Sequence, residues 1–120
     1  MRGSHPAMDV AAALDRFDGD HDLFLTLAGM FVERAPQALA GIQEALAAQN
    51  LPLLAKEAHK LKGSVLEFCA HPAAAAAAQL ETSAGQASVQ NMAALCEQVQ
   101  SEIQRLTIEL KGIMEKGFPS

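Results

Sequence analysis

The residues of this chain most capable of chemistry are His59 and the lysines around it, in the segment AHKLKGSVLEFCA at residues 58–70. An imidazole has an unperturbed pKa of about 6.5, so at pH 7 it is mostly neutral and can act as a nucleophile. Lys56 and Lys62 stand three residues before and after it, and their ammonium groups favour an anion bound there. The anion that this combination indicates is a phosphoryl group.

The histidine is predicted to lie on the exposed face of a helix. The apolar residues of the segment repeat at helical spacing and form a stripe: Leu54, Ala58, Leu61, Val65 and Phe68. At about 100° per residue, His59 falls away from this stripe and points toward solvent. The residues that share its face are Lys56, Lys62, Gly63 and Leu66. A glycine inside a helix lowers helix stability by roughly 1 kcal/mol relative to alanine, so we expect Gly63 to have a function. We interpret it as a position without a side chain, which lets another molecule approach the imidazole.

The segment AHKLKGS at residues 58–64 resembles the A-H-x-L-K-G-S signature of histidine-containing phosphotransfer (HPt) domains. These domains are helical bundles that relay phosphoryl groups between the aspartates of response-regulator receiver domains. The resemblance extends from about residue 20 to about residue 114 and includes FVERAP at 31–36 and IQEAL at 42–46. The chain departs from the family pattern at Cys69-Ala70, where glycine-alanine is usual and the helix tends to end.

The resemblance implies a phosphorelay intermediate in two-component signalling, with His59 as the phosphoacceptor. In this hypothesis a receiver aspartate phosphorylates His59, which then passes the group to another receiver. Lys62, with support from Lys56, is expected to stabilise the phosphohistidine, and Gly63 is expected to support the transfer by leaving room for the partner. The family also places a polar side chain of the following helix near the histidine, and Glu81 matches that position by spacing.

The predicted partner is a response-regulator receiver domain. We expect it to dock on a shallow apolar patch around Ala55 and Leu66. Leu25 and Val32 are expected to contribute as well, because they fall off the core stripe of the preceding helix. The resemblance implies that the receiver brings a Mg²⁺ ion and a lysine. The chain itself is expected to be a monomer without a cofactor of its own.

Length and composition predict one all-α domain. The chain has 120 residues, of which 50% are hydrophobic, with five Phe and neither Trp nor Tyr. Alanine and leucine dominate, which is typical of closely packed helices rather than of sheet. The predicted fold is an antiparallel four-helix bundle with a short N-terminal leader helix, in a domain spanning residues 8–120. Residues 1–7 (MRGSHPA) are interpreted as an expression-vector remnant.

Start and stop signals divide the chain into five helical segments. The predicted segments are 10–16, 21–48, one that follows residue 50 and ends at 69–71, 73–84, and a long last helix that follows residue 88. Asp20, Asn50 and Ser88 are expected to cap the second, third and fifth segments. Pro36 lies inside the second segment, so we expect it to kink or split that helix. Gly85 is expected to end the fourth.

Charge and motif content exclude several classes of function. The net charge is −5 and no basic stripe is present, which argues against nucleic-acid binding. No stretch approaches 18 consecutive apolar residues, so no membrane insertion is expected. The histidines lack metal-ligand spacing and no glycine loop could cradle a nucleotide, so we expect a phosphoryl carrier without a metal site rather than an enzyme. Two cysteines and no signal peptide favour a cytoplasmic location.

The sequence leaves alternatives open. The apolar repeat over residues 89–113 could be one strand of an intermolecular coiled coil, but sparse e and g charges favour packing within the bundle. The domain could instead be a non-phosphorylated interaction module that docks a receiver domain or a regulated enzyme. The chain is compatible both with a free-standing shuttle and with an excised domain of a hybrid sensor histidine kinase.

Overall fold

A computed structural model describes residues 6–86 and 91–119. Its helices are α1 (Val10–Arg16), α2 (His21–Ala47), α3 (Leu51–Leu66), α4 (His71–Gly85) and α5 (Met92–Lys116). No strand occurs in these two ranges, so the predicted all-α bundle with a short leader helix is confirmed. None of the described helices is long and apolar enough to cross a membrane.

The helix starts follow from short polar side chains that accept hydrogen bonds from otherwise unpaired backbone N–H groups. The Asp20 carboxylate accepts from the N–H of Leu23 at 3.0 Å, and the Asn50 side-chain oxygen accepts from the N–H of Leu53 at 3.1 Å. Both predicted caps are confirmed. The third predicted cap, Ser88, lies outside the described residues.

Pro36 does not split α2, which runs unbroken through it. Proline removes one helical hydrogen bond, the one that would reach the carbonyl of Val32. Pro36 itself is exposed, whereas Ala35 and Ile42 of the same helix are buried in the core. The burial of this apolar face outweighs one lost hydrogen bond, so α2 is not split at Pro36, and the alternative expectation of a kink there stays a prediction.

The four long helices close into a ring, in which α3 lies between α2 and α4 and α5 packs against both α2 and α4. The contact between α3 and α4 is the most extensive of the four. The face of α4 toward its neighbours is rich in buried alanines: Ala73, Ala74, Ala76 and Ala77. Because the distance between packed helices depends on the side chains at the contact, these alanines allow α4 to lie close to α3.

The apolar stripe of α5 is buried in the chain's own core. Its buried members are Met92, Cys96, Val99, Ile103, Leu106, Leu110 and Ile113. The stripe is therefore used within the bundle, as favoured above, and is not left for an intermolecular coiled coil. Both cysteines are free and buried, and burial raises the pKa of the Cys96 thiol.

Helix α3 ends at Leu66, earlier than the predicted 69–71. The chain turns at Cys69, whose φ of 51° lies in the left-handed region that favours glycine. The N–H of Cys69 donates to the carbonyl of Leu66 at 3.0 Å, and that of Ala70 donates to Val65 at 3.2 Å. Cys69 thus adopts a glycine-like conformation after the helix and does not lie on a helix face.

The five phenylalanines are linked by ring contacts: Phe17, Phe24, Phe31, Phe68 and Phe118. The ring centroid of Phe24 lies 5.7 Å from that of Phe17, 5.6 Å from Phe68 and 5.1 Å from Phe118, each in an edge-on arrangement. These rings come from α2 and from the segments that follow α1, α3 and α5. The phenylalanine cluster therefore joins four parts of the chain.

The chain before α1 also packs on the bundle. Ala7 and Met8 are buried, and the N–H of Ala7 donates to the Glu109 carboxylate of α5 at 3.1 Å. The interpretation of residues 1–7 as a vector remnant stays a prediction, and residues 1–5 lie outside the described ranges.

Candidate functional site

His59 projects from the solvent side of α3. The stripe formed by Leu54, Ala58, Leu61 and Val65 is buried, and this fixes the rotation of the helix about its axis. One residue beyond the buried Ala58, the His59 side chain is 65% exposed. The imidazole is therefore accessible to another macromolecule without any rearrangement of the fold.

A single carboxylate of α4 joins the two residues that the sequence analysis singled out on α3. Oε2 of Glu81 lies 2.9 Å from Nδ1 of His59, and Oε1 of the same group lies 2.9 Å from Nζ of Lys62. Glu81 follows the fully buried Leu80, which anchors this turn of α4 against the core. The structure thus brings His59, Lys62 and Glu81 together at the α3–α4 contact.

The Glu81 carboxylate is held in its ionised form. The hydrogen bond from Lys62 lowers its pKa most; burial opposes that effect, and the hydrogen bond from His59 and the charges of both residues lower the pKa further. An ionised carboxylate can only accept hydrogen bonds. The Nδ1 atom of His59 must therefore be the donor, and in a neutral imidazole this leaves the lone pair of Nε2 free.

The surface around the imidazole is open. Apart from its two chain neighbours and the backbone of its own helix, a Cβ atom built on Gly63 would meet no atom within 4 Å, and Gly63 is exposed. Lys56 is also exposed, and its ammonium forms no ion pair or hydrogen bond with the described residues. Lys60 pairs with Glu57 at 3.7 Å, and the Ser64 hydroxyl donates to the Lys60 carbonyl at 3.3 Å.

The residues predicted to dock a partner lie on two different surfaces. Leu66 is 38% exposed on the face of α3 that carries His59, and Ala55 is half-buried on the same helix. Val32 instead lines a depression between α2 and α5 with Ile103, and Leu25, two turns earlier, lies on the same side of α2. The structure therefore does not bring Leu25 and Val32 together with Leu66.

A second surface beside the site was missed by the sequence analysis. We name it the α2–α3 groove, and its lining includes Leu27, Met30, Arg34, Ser64, Glu67 and Phe68. A signal existed in the sequence, since Met30 and Arg34 are one turn apart and flank the buried stripe of α2 on one side. However, the sequence does not say which side of α2 packs next to α3. The flank of α2 with Met30 and Arg34 could therefore not be distinguished from the flank with Val32.

Within the described ranges, no group of three or more His, Cys, Asp or Glu side chains is arranged to hold a metal ion.

A helical bundle with an exposed histidine that is hydrogen-bonded to one carboxylate of the next helix fits a phosphotransfer module, and comparison with known proteins agrees. The sequence model of the Hpt domain matches residues 26–109, and the chain belongs to this family. Its fold is similar to the crystal structure of histidine-containing phosphotransfer protein B (HptB) from Pseudomonas aeruginosa PAO1. That similarity has a TM-score of 0.86 at 26% identity and covers 94% of this chain and 98% of that one.

A second solved structure supports the fold alone. The HPT domain of a sensor hybrid histidine kinase from Shewanella superposes with a TM-score of 0.78 at 17% identity, over 92% of this chain and 95% of that one. No curated protein sequence matches the chain significantly. Membership of the Hpt family makes the chain a phosphocarrier module of two-component signalling rather than a classical enzyme, and Hpt domains interact with response-regulator receiver domains.

Proposed function

We propose that this chain is a phosphorelay intermediate that accepts a phosphoryl group on Nε2 of His59 from a receiver-domain aspartate and passes it to another receiver. The observation that carries the proposal is the contact between Nδ1 of His59 and Glu81 at 2.9 Å. Because this contact keeps the proton on Nδ1, the exposed Nε2 has the lone pair that a nucleophile requires.

The transfer needs no proton to move. The Nε2–P bond forms as the bond between phosphorus and the aspartyl oxygen breaks, and the aspartate leaves as a carboxylate with the electron pair of that bond. The phosphorylated imidazole then carries a positive charge, with its proton still on Nδ1. The ionised Glu81 stabilises that charge. In the onward transfer the imidazole leaves as a neutral group, which makes the step reversible.

Lys62 and Lys56 are proposed to stabilise the phosphoryl group electrostatically. A phosphoryl group adds about 1.5 to 2 negative charges at pH 7. Lys62 has a fixed position because Glu81 accepts its hydrogen bond at 2.9 Å, so its ammonium is held beside the imidazole. The charge on Glu81 would otherwise repel an incoming phosphate, and Lys62 offsets that repulsion.

The receiver is proposed to complete the site. In line with the family resemblance, its Mg²⁺ ion and lysine would neutralise charge on the transferring oxygens. The chain described here supplies the nucleophile, the fixed tautomer and the open surface at Gly63, and Ala55 and Leu66 are proposed contacts for the receiver on α3. We propose that the chain acts as a monomer with no cofactor of its own.

Incubation of the protein with radiolabelled phosphorylated receivers tests the proposal. We expect label to move onto this chain in a form that is labile in acid and stable in alkali, as a phosphohistidine is. A chain that binds receivers but never acquires such label would instead be a non-phosphorylated interaction module.

A further inference from the structure

The α2–α3 groove has an apolar floor and is too small for an independent ligand. Phe31, Leu61 and Phe68, which line it, are buried in the core, and Met30 at its edge is 39% exposed. Its volume is about 140 Å³. Small-molecule sites usually measure about 300 to 1,000 Å³, so this groove fits one or two side chains of a protein partner.

Two opposite charges on the lining of this groove have no partner within the chain. Arg34 lies on the α2 side and Glu67 on the α3 side, and both are exposed. Neither charged side chain forms an ion pair or a hydrogen bond with any residue in the described ranges. The charged groups that pair near His59 are different ones, namely Lys62 with Glu81 and Lys60 with Glu57. The groove therefore offers one cation and one anion to a molecule that covers it.

The groove is continuous with the proposed transfer site. Gly63 lies one turn beyond His59 on α3, and Glu67, which directly follows α3 and keeps a helical conformation, lies one turn beyond Gly63. On a helix with about 100° per residue, Gly63 and Glu67 both fall on the side of His59 that faces α2. A macromolecule that reaches Nε2 across the open surface at Gly63 would therefore also cover the groove.

We propose that the α2–α3 groove selects among receiver domains, with Arg34 and Glu67 as the specificity-determining residues. This inference rests on the proposed function. A matching receiver places an apolar side chain on the floor of the groove, a carboxylate opposite Arg34 and a cation opposite Glu67. A receiver with the reverse arrangement meets like charges at both positions. Charges at the rim of an interface act mainly on partner choice and association rate, which is the effect required here.

Charge-reversal variants provide the test. Arg34→Glu and Glu67→Lys, alone and together, are compared with Lys111→Glu and Glu97→Lys, which make the same charge changes at exposed positions of α5. Transfer rates are measured from several receiver domains, each phosphorylated with radiolabelled acetyl phosphate. Phosphoramidate, which needs no docking surface, labels His59 directly and reports whether each variant retains a working acceptor.

We expect each groove variant to slow transfer from the fastest receiver by about tenfold or more at low salt, with the difference shrinking as salt is raised. The α5 controls should change the rate by less than about twofold, and all variants should accept phosphate from phosphoramidate equally. The double variant, whose net charge equals that of the wild type, should change the order in which receivers are preferred.

The groove assignment is overturned if wild-type transfer proceeds and the groove variants behave like the α5 controls for every receiver. A different result would contradict the proposed function itself. If phosphoramidate labels the wild-type chain but no receiver does, the relay from receivers fails, and the groove proposal fails with it.

Discussion

At the scale of single residues, the central feature is the shared carboxylate of Glu81. It accepts from both His59 and Lys62 at 2.9 Å, and the interaction with Lys62 is the larger cause of its lowered pKa. A carboxyl group whose pKa is lower in the folded state stabilises the fold above its unfolded pKa, and that contribution is lost as the pH falls through the folded value. Acidification should therefore release both partners of Glu81 together.

Two variants test what the Glu81 carboxylate does for the imidazole: Glu81→Gln removes its charge, and Glu81→Ala removes the hydrogen bond that positions the ring. In Glu81→Gln we expect phosphoryl acceptance from a receiver to slow several-fold, because the uncharged amide stabilises the phosphorylated imidazole less well. The ¹⁵N chemical shifts of His59 should report the Nδ1–H tautomer in the wild type and a shift toward Nε2–H in Glu81→Ala. Unchanged tautomer populations in Glu81→Ala would show that Glu81 does not position the ring.

The sequence predicted part of this site by local spacing and part only by resemblance. His59, Lys62 and Gly63 lie within one helix, so a phase of about 100° per residue was enough to place them on one face. Glu81 is 22 residues from His59, on another helix. Its contact depends on how α3 and α4 rotate against each other, which is set by core packing and not by local spacing.

At the scale of elements, the two lysines that follow His59 on α3 lie on different sides of the helix, Lys62 toward α4 and Lys60 toward solvent. Lys62 is paired with Glu81 of α4 and its side chain is 30% exposed, whereas Lys60 reaches only Glu57 of its own helix and is 65% exposed. The two lysines are two residues apart but lie on different sides of His59, and this makes them a matched pair for mutation.

We expect Lys62→Ala to slow receiver-dependent transfer or to shorten the lifetime of the phosphorylated form, while the fold is retained. The expected effect is several-fold in rate, since solvent screens charges at the surface. Lys60→Ala is the control and should have much less effect. Equal effects of the two substitutions would contradict the assigned orientation of α3.

Gly63→Leu should raise stability and reduce function. A Cβ at Gly63 would meet nothing within 4 Å apart from its chain neighbours and its own helix backbone, so the substitution gains helix propensity of up to about 1 kcal/mol. The new side chain would displace a docking receiver, and a displacement of about 1 Å can slow an oriented reaction by about 10²-fold. Thermal unfolding and transfer kinetics measure the two effects.

The control for this variant is Gly112→Ala in α5, where a Cβ also meets no atom within 4 Å. It should stabilise the helix without affecting transfer. Phosphoramidate should still label Gly63→Leu. Receiver-dependent transfer at the wild-type rate in Gly63→Leu would mean that the receiver does not approach across Gly63.

Prediction of the elements succeeded where the signal was local. Asp20 and Asn50 fix helix starts by hydrogen bonds to residues three positions on, and such signals can be recognised in the sequence. A split of α2 at Pro36, one of the two effects expected of that proline, and the late predicted end of α3 were wrong. The continuity of α2 depends on burial of its far face, and the end of α3 depends on Cys69 adopting a conformation that usually requires glycine.

At the scale of the whole molecule, the bundle holds α3 and α4 in the relative position that the site requires. An all-α bundle could be predicted from helical periodicity, but the order of helices around the ring could not, because each apolar stripe could pack against any other. Because the order of the helices around the ring is not visible in the sequence, the sequence also does not show that Val32 lies on the side of α2 next to α5.

Phe24 should dominate the stability of the molecule. It is fully buried and contacts Phe17, Phe68 and Phe118, so Phe24→Ala should lower the free energy of unfolding by roughly 3–5 kcal/mol. Leu23→Ala, at a position that is 44% exposed, is the control and should change it by less than about 0.5 kcal/mol. Urea denaturation measures both. A small loss for Phe24→Ala would contradict the described packing of the phenylalanine cluster.

The variant His59→Gln tests whether His59 carries the phosphoryl group. Because the side chain is 65% exposed and contributes no core volume, the melting temperature and helix content should be almost unchanged. The measurement is the transfer of acid-labile, alkali-stable label from a phosphorylated receiver to the wild-type and variant chains. We expect label on the wild type and none on His59→Gln. Label on the folded variant at the wild-type level would mean that His59 is not the phosphoacceptor.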